Sequence, residues 1–122
     1  MAPIAFYRLF PMHAKTLCSE PVVAWAHLHG RKQVNRFAQL RLWRRHGATL
    51  GAECIAARMG LEPIDPGAAR IGDAVVVDCI RENEFDGIIG ICVGSFVVVG
   101  GFGEIRVGRF VIKRAWRLDC RP

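Results

Sequence analysis

A chain of 122 residues, 52% of them hydrophobic and 23% charged, is long enough for one packed domain and too apolar for a disordered one. Its net charge is +6, and the whole excess lies between Glu20 and Glu53, an interval that holds Arg31, Lys32, Arg36, Arg41, Arg44 and Arg45 and no acid. Such a segment points to a surface facing an acidic partner, with protein favoured over nucleic acid; no apolar run reaches the about 18 residues needed to cross a membrane, and residues 1–8 do not read as a secretory signal.

Residues 1–17 read as an irregular arm, because Pro3 and Pro11 discourage a long helix. Phe6, Tyr7 and Phe10 make the arm rich in aromatics. Such a segment either covers its own core or docks into a neighbour, and the three residues are candidates for an interaction surface. Ser19-Glu20-Pro21 has the form of a helix start: a capping serine, an acid in the first turn and a proline where no amide hydrogen is needed. Val22, Trp25 and Ala26, continued by His29, share one face, and Gly30 is a stop. Residues 33–45 form a second, basic helix with Val34, Phe37, Ala38 and Leu42 inward. Gly47 separates it from a third helix at 48–59, where Leu50, Cys54, Ile55 and Ala57 are apolar and Gly60 closes the segment.

Pro63, Pro66 and Gly67 make 61–67 a loop. Strands follow. Residues 74–80 are β-branched and continuous, which predicts burial on both faces. Residues 88–93 and 95–99 pair as a hairpin about Gly94-Ser95. Residues 104–107 and 109–117 make another, turning at Gly108, with Gly100, Gly101 and Gly103 supplying the bend between the two hairpins. Helices first and strands afterwards define an α+β domain with an antiparallel sheet. The expected organisation is the arm 1–17 and one domain at 18–122, helical over 18–60 and a sheet over 72–118.

The chemistry-bearing residues are few. Five cysteines, at 18, 54, 79, 92 and 120, include no Cys-x-x-Cys pair, so neither a zinc ribbon nor an iron–sulfur site is expected, nor any cofactor. Cys54, Cys79 and Cys92 lie in apolar segments and read as small core residues, which suits a reducing compartment. His27 and His29, two apart on a helix, diverge and make a poor metal pair. Trp25, Trp43 and Trp116 fit core or interface positions better than a stacking platform. Gly100-Gly101-Phe102-Gly103 opens no helix and lacks the Gly-Lys-Ser/Thr ending of a phosphate loop. Cys18 differs from the other thiols. It stands just before a helix start, where the macrodipole and free amides favour the thiolate. A cysteine hydrolase would further need a base within hydrogen-bond reach and a third group to orient it.

The run Cys18-Ser19-Glu20-Pro21-Val22-Val23-Ala24-Trp25, with Gly30 closing the helix, resembles the nucleophile helix of small phage tail proteins related to the NlpC-type cell-wall endopeptidases. Gly47-Ala48-Thr49-Leu50 through Ala56-Ala57-Arg58-Met59-Gly60-Leu61 is similar to the next helix of that family. Ala69-Arg70-Ile71-Gly72-Asp73-Ala74-Val75-Val76-Val77 resembles its Arg-x-Gly-Asp approach to the sheet. Gly87-Ile88-Ile89-Gly90-Ile91-Cys92-Val93-Gly94 and Arg114-Ala115-Trp116-Arg117 resemble two of its strands, so the likeness spans roughly residues 10–118.

The resemblance implies a papain-like fold with Cys18 at the nucleophile position. Active members carry His-Val-Gly-Ile-Tyr on the strand, and aligning the glycines puts Ile88 where that histidine belongs. Leu17 stands where an aspartate usually precedes the nucleophile. All four histidines, His13, His27, His29 and His46, lie before residue 47. The expectation is therefore a domain that has lost hydrolysis: a structural or assembly component of a phage tail, near the tip or hub. It would be made in the host cytoplasm and carried in the virion. Its partners would be other tail-tip or hub proteins, met through the basic residues and the aromatic arm. The alternative is an active cysteine peptidase or amidase acting on cell-wall peptides through Cys18 and an unrecognised base. A third reading is a nucleic-acid-binding protein using residues 31–46.

Overall fold

The computed structural model describes residues 1–78 and 86–118. Its first element is a short helix, α1 (Pro3–Leu9), in place of the irregular arm. Pro3 starts this helix rather than preventing it, because a first-turn proline lacks only an amide that would have no partner anyway. Helix α2 (Ser19–Leu28) falls where the helix-start residues put it. Cys18 occupies its N-cap, however, and Ser19 lies one position inside. The Ser19 hydroxyl makes no capping bond and donates to Gln39 Oε1 at 2.6 Å.

The basic segment and its successor join as α3 (Arg36–Met59), broken at Gly47 by a φ of 84° that only glycine adopts without strain. Asn35 caps it by accepting from the Ala38 amide, and Gly60 ends it. Ala52, Ile55, Ala56 and Met59 recur at helical spacing and are buried. Phe37, expected inward, is 78% exposed, and the apolar Leu50 and Ala57 are exposed as well, Leu50 at 52%. Phe37 lies two residues before buried Gln39 and Leu50 two before buried Ala52, about 200° around the helix in each case.

Six strands form one antiparallel sheet: β1 (Glu62–Ile64), β2 (Ala74–Val77), β3 (Ile88–Cys92), β4 (Val97–Gly101), β5 (Glu104–Gly108) and β6 (Ile112–Arg117), in the order β1-β6-β2-β3-β4-β5. The expected loop 61–67 thus contains a strand, and Pro63 is tolerated because β1 is an edge. The hairpin about Gly94-Ser95 forms, with Gly90 opposite Val99 and Cys92 opposite Val97. The second expected hairpin does not. β5 turns back onto β4 through Phe102 and Gly103, while β6 crosses over to lie between β1 and β2. Side-chain burial explains the difference. β6 brings Ala115 and Trp116 into the interior, whereas β5 is exposed along its first four residues and stays at the edge.

The helices cover one face of the sheet, where Val76, Ile91, Val98 and Trp116 meet Trp25, Ile55 and Met59. The other face gathers Val75, Val77, Cys92, Val97 and Val99, flanked by Phe110 and Ile112. β2 is therefore buried on both sides, as its continuous β-branched run predicts. Its expected continuation to residue 80, with Cys79, lies outside the described residues, as does Cys120. α1 packs on α2 and β4, and Phe6 and Tyr7 are 8% and 1% exposed. These two aromatics cover the chain's own core and offer no surface to a neighbour. Phe10 is half-buried beside them. Among the described residues, no helix is long and apolar enough to cross a membrane.

Candidate functional site

A cavity of about 370 Å³ opens where the N-terminus of α2 and the kinked α3 meet the start of β3 and the end of β4. Cys18, Trp43, Ile55, Ile88, Gly101 and Glu104 are among its walls. Several features hold Cys18 there. The Phe102 amide donates to the Thr16 carbonyl at 2.7 Å, tying the segment before α2 to the β4–β5 turn. Thr16 is fully buried, and its hydroxyl accepts from the His13 amide. Gly101 then allows the close approach: a Cβ there would stand 2.9 Å from Cys18 Cα, and one at Gly100 would stand 2.7 Å from the Tyr7 ring. The glycine pair read in sequence as a bend is thus a seat for Cys18 and Tyr7. Tyr7 is buried with no hydrogen bond to its hydroxyl, and burial, reinforced by nearby Cys18, pushes its pKa well above the usual phenol range.

Cys18 and Ile88, far apart in sequence, line the same cavity. The Cys18 thiol is half-buried. Ile88 offers it no proton acceptor, and no histidine is among the cavity's described walls. His27 and His29 instead hold Nδ1 against the Arg31 and Trp25 carbonyls, at 3.2 and 2.8 Å. His13 accepts from the Lys15 amide, and His46 is exposed. Among the described residues, the charged groups in the cavity wall are Glu104 and Arg106, which bond one another at 3.2 Å. The sequence reading missed both, since only the β4–β5 pairing carries them to the site. No group of three or more His, Cys, Asp or Glu side chains suited to a metal occurs among the described residues.

The six basic residues divide into two sets. Arg31 donates to the Leu118 and Gly60 carbonyls, and Arg36 pairs with Glu20 at 3.0 Å and donates to the Lys15 carbonyl. Both fasten the chain to itself. Lys32, Arg41, Arg44 and Arg45 are exposed. The last three, at i, i+3 and i+4 on the first half of α3, form a single basic stripe.

Asp86 anchors the second half of α3. Its Oδ1 accepts from the Ala48 and Thr49 amides at 3.0 Å each, and its carbonyl accepts from the Thr49 hydroxyl and Lys113 Nζ. Partial desolvation raises the carboxyl's pKa, but the bonds from Thr49 and Ala48 outweigh that and hold it below the ordinary value. Because the folded value is depressed, the stabilisation is complete above the unfolded carboxyl's pKa and is lost as pH falls through the folded one. Asp86→Ala is expected to cost about 1 kcal/mol, as loss of a helix cap does. Thermal melts should show the deficit at neutral pH and its disappearance in acid.

The geometry defines a class: an α+β domain with helices on one face of an antiparallel sheet and a cysteine-bearing cavity at their junction. A family described as a domain of unknown function, DUF6950, matches residues 23–118, and the chain belongs to it. The match begins after Cys18 and so says nothing about the thiol. No curated protein and no solved structure matches the chain.

Proposed function

We propose that this chain is a papain-like, NlpC-related domain that no longer hydrolyses bonds and serves as a structural or assembly component of a phage tail, near the tip or hub. One observation carries this reading. Cys18 at the head of α2 lines a cavity together with Ile88, the residue aligned with the family's catalytic histidine. An aliphatic Ile88 at the position aligned with that histidine suits a fold kept for binding. The Arg41, Arg44 and Arg45 stripe is the surface that meets other tail proteins, through charge complementarity and buried area. The place of action is the tail of the virion, reached after assembly in the host cytoplasm.

Complementation of tail assembly tests this. Cys18→Ala should yield tails as wild type does, while Arg41→Glu/Arg44→Glu/Arg45→Glu should lower the yield at least about tenfold. A thiol probe read by mass spectrometry across pH should label Cys18 no faster than a free thiol. Fast labelling, together with loss of function in Cys18→Ala, would establish the cysteine peptidase instead. DNA binding with a steep salt dependence, abolished by neutralising the three arginines, would establish the nucleic-acid reading.

A further inference from the structure

β5 is the terminal strand of the sheet order, and among the described residues it pairs with β4 alone. Four large apolar side chains lie on or beside this edge at 43–53% exposure: Phe96, Phe102, Ile105 and Val107. Exposed apolar surface along an open strand edge is a liability in a chain that works alone, because the free amides and carbonyls template another strand. Proteins protect such an edge with charged side chains or prolines. β5 has no proline, and its two charged residues, Glu104 and Arg106, are of opposite sign and two residues apart on one face of the strand.

We infer that β5 is a self-association edge, and that a second copy of this chain adds its own β5 antiparallel to it with Ile105 on the two-fold axis. Symmetry limits the possible registers. A two-fold perpendicular to the sheet keeps every side chain on its own face, and directly opposed residues must share a face. Each allowed register therefore sets one residue of β5 opposite its own copy. Centring on Glu104 or Arg106 sets like charges against each other, and centring on Val107 or Gly108 leaves both without a charged residue opposite. Centring on Ile105 sets Ile105 against Ile105 and Glu104 against Arg106 of the second copy, twice. The bond that Arg106 now makes within its own strand is then exchanged for two across the interface. Both side chains line the Cys18 cavity, so the second copy would border that cavity as well.

Sedimentation or light scattering across a concentration series tests the dimer. Glu104 and Arg106 are exposed, with side-chain exposures of 59% and 50%, so reversing them leaves the core intact. Glu104→Arg and Arg106→Glu should each weaken dimerisation at least about tenfold, and the double variant should restore it. Circular dichroism of all three variants checks that they fold. A wild-type chain that stays monomeric up to about 1 mM overturns the inference. So does a dimer indifferent to the single reversals, or one that the double reversal does not restore. The outcome does not depend on whether Cys18 is reactive.

Discussion

Trp25→Ala should lower the stability of the fold by about 3–5 kcal/mol in urea denaturation, the range for truncating a buried indole. Trp25 is 3% exposed and joins three parts of the chain. Its ring lies 5.2 Å from Phe6 of α1 and 4.4 Å from His29 at the end of α2. Its Nε1–H donates to the Gly72 carbonyl at 3.1 Å, just ahead of β2. Truncation therefore removes apolar contact, loosens α1 and strips the Gly72 carbonyl of its donor. Trp25→Phe separates these effects. It keeps most of the packing and should cost about 1 kcal/mol for the missing hydrogen bond.

Gly90→Ala should be comparably damaging, at about 3 kcal/mol. Gly90 sits in mid-sheet, opposite Val75 on one side and Val99 on the other. A Cβ there would collide with the Val98 carbonyl oxygen and stand 2.7 Å from Val99 Cγ1. The first obstacle is backbone, so repacking side chains does not relieve it. Combining Gly90→Ala with Val99→Ala should fail to restore stability, whereas a purely side-chain clash would be rescued. Urea titrations of the single and double variants distinguish the two cases.

Signals in the sequence are legible where the physics is local. Gly47 and Gly60 mark the break and the end of α3 because positive φ is a property of one residue and its neighbours. The continuous β-branched run of β2 foretold its double burial for a similar reason. Phe37 was misplaced because the buried face of α3 is held there by a polar residue. Gln39 is 3% exposed and satisfied by Ser19 and the Val34 carbonyl, so apolar periodicity cannot register it. The place of β6 was missed because nothing in residues 109–117 says which strands they join. That choice depends on where Ala115 and Trp116 can be buried.

The candidate site divides along the same line. Cys18 at the head of a helix, and the absence of a histidine from the aligned strand, were legible residue by residue. The cavity was not, because its walls come from four separate stretches of chain. The aromatic arm shows what composition leaves open: Phe6 and Tyr7 could cover the core or dock into a neighbour, and they are interior. The glycines that make room for Tyr7 and Cys18 are visible, but their reason lies more than eighty residues away.

The crossing of β6 also sets an order of events during synthesis. β3, β4 and β5 are joined by tight turns and can close as soon as they are made. β1 and β2 have no pairing with each other, and β1 waits for a partner roughly fifty positions further along the chain. Until residues 112–117 leave the ribosome, one side of β2 is an open, wholly apolar edge, the kind of intermediate that chaperones hold. A chain stopped ahead of Ile112 would lose the keystone that joins β1 to the rest of the sheet.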